Sequence, residues 1–412
     1  MLINLVKLNG YLLFISIIVG LSPLPLMALG ISGLYLSVFL IIFIILANII
    51  FFWRSASFTR QSFYALLVLF FGSIASVYWQ DISYLKVHLL IFLAIIACSP
   101  LIQIDHRHLS GLFIRFCAGS VIASIFSLLY SLYNPPDWIG ILPDGRSYYF
   151  FFSSFSNYYN GFFTRPSFIF DEPGSYSFVL CFSVLYRTII NNFESNLKFS
   201  PLLVAIGGLV TLSMAHLIFL FFIIFHIRSV KFTLALFLSA FALTNLSFDT
   251  PVSSESVAFD QRLANLSTDP ESDVRISSFF ESLSLIENSL VFGLDSRCQY
   301  DREYCNQLHG VIGEHFLAPL IINGLLGGIH YYFVLVILVF FAFRWGPFFP
   351  IVGFVLLLAQ RPYLMDFSYS LMAMLIFAVL INRSKFNRYM FLGKGLHVLR
   401  SSRKIALQID KR

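Results

Sequence analysis

Charge is scarce in this chain. Asp, Glu, Lys and Arg make up 12% of its 412 residues, against 58% hydrophobic residues and a mean hydropathy of +0.81. Soluble domains carry roughly 25% charged residues. So few charges cannot cover a water-facing surface, which excludes a single-domain cytosolic enzyme. A nucleic-acid binder is excluded with it, despite a formal net charge of +6 and a pI near 9.0. Familiar motifs are missing too. There is no Walker A loop, no Gly-x-Gly-x-x-Gly, no His-Glu-x-x-His, no Gly-x-Ser-x-Gly and no Asp-x-Asp pair. The chain thus lacks the usual means of hydrolysing ATP or of holding a nucleotide-sugar diphosphate through a metal. Disorder is excluded by abundance instead, since 49 Phe and 20 Tyr are present and disorder needs low hydrophobicity. What remains is an all-α polytopic membrane protein.

A spanning helix needs about 20 apolar residues to cross about 30 Å of hydrocarbon. Apolar sequence runs from Tyr11 to Trp53, broken only near Pro23, Pro25 and Gly30. This is longer than the roughly 7–15 residues of a signal-peptide core and fits two spans. Spans are expected near 10–30, 33–53, 62–80, 86–102, 111–133, 170–190, 232–248, 316–343, 347–360 and 367–382. The stretch 200–227 is ambiguous. At 1.5 Å per residue it gives about 42 Å of helix, long for one pass and short for two.

The sign of the charges addresses the ambiguity. With the N-terminus inside, 18 of the 27 basic residues fall on the cytoplasmic side and 18 of the 21 acids fall outside or at the outer ends of spans. This is the positive-inside pattern. It requires Lys198 and Arg228 to share a side, so 200–227 should be two short helices or a re-entrant hairpin turning near Ser213–His216. The expectation is about 12 membrane segments with both termini cytoplasmic, in a bacterial inner membrane. The regions are a five-helix part (1–133), a periplasmic loop (134–169), a membrane region with short or re-entrant helices (170–248), a large periplasmic loop (249–315), a C-terminal membrane region (316–382) and a basic cytoplasmic tail (383–412).

The large outer loop carries 12 acids, four Arg and two His, so chemistry is expected on that face. Cys298 and Cys305 lie in it with six residues between them, and an oxidising periplasm favours a disulfide. Cys98, Cys117 and Cys181 fall in apolar spans and read as core residues. Zinc is disfavoured, because no Cys-x-x-Cys accompanies His309 and His315.

Arg165 and Glu172 stand at the outer mouth of a span, where charge is costly and usually functional. Arg suits bidentate phosphate binding; an interfacial anchor paired with Glu172 is the plain alternative. Apolar residues at Ile276, Phe279, Phe280, Leu283 and Ile286 recur at helical spacing, with Arg275 at the start of that helix, where an anion can bind. A surface helix with a solvated Arg is the alternative. His315 lies where loop becomes span, and histidine is the natural base near neutral pH. His88, His216, His226 and His330, in or at spans, read as structural, His216 being a weaker candidate at the re-entrant turn. The run Tyr148–Phe163 reads as an interfacial aromatic belt that could also line the approach of a sugar or polyprenyl chain. Arg115 is nearly alone among charges inside spans.

These residues carry a resemblance. Arg165-Pro-Ser-Phe-Ile-Phe-Asp-Glu-Pro resembles the Arg…Gly-x-x-x-Glu-Pro block of Wzy-type O-antigen polymerases, with Phe168 where a Gly is common. Arg275…Phe280…Ser289-Leu-Val-Phe-Gly-Leu resembles their Arg, aromatic, Pro-Leu-x-Gly-x-Gly run, with Ser289 for Pro and Asp295 for the second Gly. His315…Gly324-Leu-Leu-Gly327 resembles their His-Asn…Gly-Leu-Leu-Gly, with Phe316 for Asn. Ser213-Met-Ala-His216 resembles their Ser-Arg turn without its Arg.

The resemblance implies a GT-C-like membrane fold and a metal-independent, inverting glycosyltransferase. The donor would be a glycan on undecaprenyl diphosphate and the acceptor a second lipid-linked repeat unit, with no metal or nucleotide cofactor. His315 would be the base, with His309 the alternative for that role and otherwise a substrate contact. Arg275 and Arg165, then Arg262 and Arg361, would stabilise the leaving diphosphate, and Glu172 would orient an Arg or the acceptor. Membrane lipids and a Wzz-type chain-length regulator would be partners. The superfamily's WaaL ligase, which moves finished glycan to lipid A–core, is the alternative. A polysaccharide or lipid transporter is a third reading; it predicts ionisable residues mid-membrane beside a broken helix.

Overall fold

The computed structural model describes residues 2–21, 23–52, 60–99, 102–131, 133–141, 147–157, 159, 164–191, 199–211, 213–227, 280, 282–286, 289–294, 298, 302–309, 312, 315–345, 348–360 and 363–381. The expected span 232–248 and the basic tail lie outside them.

The chain opens with α1 (Leu2–Gly20), a short α2 (Leu24–Ala28), α3 (Gly33–Phe52), α4 (Arg60–Trp79), α5 (Ile82–Ala97) and α6 (His106–Ser131). Local chemistry sets their ends. Asp105 accepts from the backbone N–H groups of Arg107 and His108 at 3.1 and 3.0 Å, capping α6 as an N-cap aspartate does. Gly30, at φ +70°, ends α2, with Gly30 N–H donating to Met27 O and Ile31 N–H to Leu26 O. This is the paired closure a left-handed C′ glycine allows.

The segment after α6 departs from the all-helical expectation. β1 (Asp137–Ile141), β2 (Ser147–Phe151) and β3 (Ser154–Ser156) form an antiparallel sheet in the order β1-β2-β3. Part of the expected interfacial belt is therefore strand, which fits the high β-propensity of Tyr and Phe.

α7 (Pro173–Ile190) follows, with proline in its first turn, where the missing N–H costs nothing. Next come α8 (Phe199–Gly207), a 3₁₀ turn (Gly208–Thr211) and α9 (Met214–Ile227). The stretch 200–227 is thus two short helices, and it does not run straight. The His216 imidazole lies 2.8 Å from Ala205 O, eleven residues earlier, whereas a straight helix would separate those residues by about 16 Å along its axis. Gly208 leaves room for that ring, since a Cβ there would overlap the imidazole.

The C-terminal part is α10 (Arg302–His309), α11 (Ala318–Gly327), α12 (Ile329–Trp345), α13 (Phe348–Gln360) and a last helix, α14 (Phe367–Ile381). The expected span over 316–343 is not one straight helix but a bent pair. α11 and α12 meet at 101°. The cause is backbone torsion at Gly324, with φ +65° and ψ −176°, which hydropathy does not report.

Among the described residues, three helices are long and apolar enough to cross a membrane, and the bent pair makes up to a fourth. The bundle is apolar outside and polar within. Tyr35, Phe39 and Ile50 are 65%, 65% and 74% exposed, while Asn9, Asn48, Ser16 and Ser37 are buried. Those four bond in pairs, Asn9 to Asn48 at 3.1 Å and Ser16 to Ser37 at 2.8 Å. This is the arrangement of a membrane-embedded helical protein, in which helices adhere through buried polar contacts and close packing. α7 lies at the centre, buried from Pro173 to Tyr186. The free cysteines are core residues, with Cys117 Sγ against Ser183 Oγ and Cys181 Sγ against His216 Nδ1.

Side-chain contacts give the relative directions of α1, α3, α6 and α7. α1 and α3 run antiparallel through the Asn9–Asn48 and Ser16–Ser37 pairs. α1 runs beside α6 in the same sense, Tyr11 on His108 and Phe14 on Phe113. α6 and α7 are antiparallel, with Arg187 donating to Ser110 and Tyr176 to Ser120. One end of the bundle therefore holds the start of α7, the sheet, whose Ser153 bonds Ser127 of α6, the turn before α5, whose Lys86 lies over Tyr35 at the start of α3, and the start of α14, whose Ser368 lies against Gly20. Asp81, Asp137, Asp171, Glu172 and Asp366 stand there, with Lys86 and Arg165. The opposite end holds Lys7, Arg107 and Arg187, with Asp105, and also Arg344, because α12 runs in the sense of α14 with His330 on Ser370 and Phe341 on Phe377.

Candidate active site

Two segments far apart in sequence meet at the acidic end. Residues 289–294 lie against α11 backbone to backbone. Leu294 N–H donates to Ile321 O at 2.9 Å, Leu325 N–H to Leu290 O at 2.8 Å and Leu326 N–H to Val291 O at 3.2 Å. Two glycines permit this. A Cβ on Gly324 would meet Gly293 N and Val291 O, and one on Gly293, at φ +86°, would meet Ile322 O. The Gly293 and Gly324 motifs thus form one structural unit. α4 and α5 brace it. Trp79 Nε1 donates to Phe292 O at 3.0 Å, Tyr78 stacks on Phe292 at 3.8 Å, and Tyr84 donates to Asn323 O at 2.8 Å.

His315 precedes α11 and is half-buried. Leu317 N–H donates to its Nδ1 at 3.2 Å, and its Nε2 lies 3.0 Å from Ser282 Oγ. An amide N–H can only donate, so Nδ1 carries the lone pair, and in the neutral ring Nε2 carries the proton. Nε2–H then donates to Ser282. Burial pushes the imidazole pKa below its usual 6.5. The Leu317 contact acts in the same direction, because an imidazolium has no lone pair for that N–H. The neutral, basic form is the one this site holds. To act as a base the ring must exchange Leu317 N–H for a substrate hydroxyl.

The helical segment at 280–286 faces opposite to its sequence pattern. Phe280 and Leu283 are exposed, at 60% and 40%, while Ser282 and Ser289 are buried. The buried serines are satisfied, Ser282 by His315 and Ser289 by Leu285 O. The apolar positions Phe280 and Leu283 of the expected amphipathic helix are thus on its exposed side, and a serine is on its buried side.

At the start of α7, Arg165 Nε donates to Thr211 O at 3.1 Å, and Ser156 Oγ donates to Arg165 O at 2.7 Å. Arg165 thereby joins the sheet to the bend between α8 and α9. Glu172 is the N-cap of α7, and Ser175 Oγ donates to its Oε1 at 3.5 Å. Tyr369 shares a hydrogen bond with Ser175 and lies in the field of Asp171, Glu172 and Asp366. Phe168, which stands where the resembled family commonly has Gly, has φ +56°. That is the left-handed region glycine favours.

Cys298 and Cys305 are disulfide-bonded with their Cα atoms 4.9 Å apart. The bond ties the backbone just before α10 to that helix, which ends at the half-buried His309. Arg262, Arg275 and Arg361 lie outside the described residues. Among the described residues, no group of three or more His, Cys, Asp or Glu side chains is arranged to hold a metal ion. The structure adds Ser282, Asp171, Asp366 and Tyr369 to the residues picked from sequence. Asp366 had a sequence signal, an acid directly before an apolar run, as an N-cap requires. Ser282 had none in its serine-rich surroundings.

The chain matches no protein-family model and no curated protein sequence.

Proposed function

We propose that the chain is a polymerase of lipid-linked O-antigen repeat units. It transfers a glycan from undecaprenyl diphosphate to a second lipid-linked unit, with inversion and without metal or nucleotide. The fold would be a GT-C-like arrangement of about 12 segments, with the acidic end periplasmic. The carrying observation is the unit built on Gly293 and Gly324 beside His315, at the same end as Arg165 and Glu172. Two of the three motif regions of the resemblance are thereby in direct contact.

The roles follow from the chemistry. An acceptor hydroxyl has a high pKa, so a positioned base accelerates its attack by roughly 10²–10⁴-fold. His315, held neutral, is that base, and His309 is the alternative. Negative charge grows on the departing diphosphate, and fixed cations stabilise it; Arg275 and Arg165, with Arg262 and Arg361, take this role. Glu172 orients an Arg or the acceptor.

One observation favours transport. The 101° break between α11 and α12 has His88 Nε2 at 3.1 Å from Gly327 O, and His330 bonded to Tyr64 and Ser370. A deletion strain separates the readings by its lipopolysaccharide bands. Loss of the polymerase leaves core carrying a single repeat unit. Core without any repeat unit contradicts the polymerase reading and supports the ligase or the transporter.

A further inference from the structure

Arg115 lies on a surface that otherwise suits only lipid. α6 turns Phe113, Ile114, Cys117, Ser120, Val121 and Ser124 inward. Its outward sector shows Arg115 exposed, followed by Ile122, Phe126 and Leu129, which are also exposed. One turn to either side, Gly111 and Gly119 have nothing within 4 Å of where a Cβ would be. The side chain therefore crosses bare, open helix backbone.

The guanidinium has a direction. Arg115 Nε donates to Gly111 O at 3.2 Å, folding the side chain back toward His106, as side chains on a helix tilt toward its N-terminus. Among the described residues no carboxylate pairs with it. α6 has 26 residues, about 39 Å at 1.5 Å per residue, against about 30 Å of hydrocarbon. Gly111 lies about 8 Å from the His106 end. The guanidinium is thus a few ångströms from the edge of the hydrocarbon, near the depth of lipid phosphates. Lys7 and Arg107 are exposed at the same end, and so add positive potential there.

We propose that Arg115 binds the phosphate of an anionic phospholipid in the leaflet at the His106 end of α6, with an acyl chain lying along Gly119, Ile122 and Phe126. A cation with no carboxylate partner among the described residues, on an apolar face, is complementary to a lipid that brings a negative phosphate and an apolar tail together. Arg is the cation whose fork fits phosphate through two parallel hydrogen bonds.

The test uses the full-length, delipidated protein in detergent. Native mass spectrometry follows its titration with dioleoyl phosphatidylglycerol, with inorganic phosphate as competitor. The first lipid is expected to bind Arg115→Gln about fivefold more weakly than the parent, the worth of one cation near a membrane surface. Arg115→Lys, which keeps the charge and loses the fork, should fall between the two. Millimolar inorganic phosphate should leave the bound lipid in place. Equal lipid affinity in parent and Arg115→Gln overturns the proposal, and so does displacement by inorganic phosphate. A parent dimer that Arg115→Gln splits would also overturn it, because Arg115 would then seat a second copy of the chain.

Discussion

His315→Ala should abolish glycan lengthening while the protein still accumulates in the membrane. Loss of a positioned base costs roughly 10²–10⁴ in rate, or about 3–5 kcal/mol of barrier at 1.36 kcal/mol per decade. The same substitution also removes the hydrogen bonds to Ser282 and from Leu317. Ser282→Ala keeps the imidazole and removes one bond worth about 1 kcal/mol, so its rate should fall only severalfold. Arg275→Ala should match His315→Ala in the severity of its loss. The pH profile carries the sign of the pKa shift. Burial holds the imidazole neutral below its usual 6.5, so the base stays active as pH falls past that value. The acid limb of kcat/KM should therefore lie below pH 6.5. An acid limb above pH 6.5, or wild-type banding in His315→Ala cells together with loss of banding in His309→Ala cells, would move the role to His309.

Gly324→Ala should prevent stable folding of the C-terminal region. With φ +65° and ψ −176°, Gly324 occupies a conformation essentially confined to glycine. A Cβ there also meets backbone atoms, Gly293 N and Val291 O, which cannot swing aside as a flexible side chain can. Strain of about 1–3 kcal/mol adds to the lost pairing of residues 289–294 with α11. The melting temperature in detergent should fall by several degrees or the protein should fail to accumulate. Gly111→Ala is the matched control. It is helical and open, so alanine should be neutral or stabilising by about 0.5–1 kcal/mol. Equal melting of Gly324→Ala and the parent would contradict the backbone pairing.

Much of the fold was legible because hydropathy and charge are local properties. The sorting of Lys7, Arg107, Arg187 and Arg344 from Asp81, Asp171, Glu172 and Asp366 could be read from the chain, and the structure separates them by end. The division of 200–227 into two short helices agrees with the expectation, while Lys198 and Arg228, whose charges suggest it, lie outside the described residues. What escaped depends on torsion or on distant contacts. The run 316–343 is apolar throughout, and only the torsion at Gly324 breaks it. Phe280 and Leu283 obey helical periodicity, yet Ser282 wins the buried side through a contact with His315, 33 residues away. The run Tyr148–Phe163 reads as a membrane-interface belt, yet β2 and β3 fall within or against it, because the same aromatic residues serve both uses. For the site, Arg165, Glu172 and His315 were chosen by residue type and position. The carbonyl of Thr211 that holds Arg165 has no sequence signature.

The most direct test is chain extension by the purified protein, with synthetic undecaprenyl-diphosphate repeat units as both donor and acceptor. EDTA is present and nucleotide is absent. The expected product is a ladder of lengthened glycans that is lost with His315→Ala. Transfer only to lipid A–core, or lipid movement across liposomes without any glycan transfer, would contradict it.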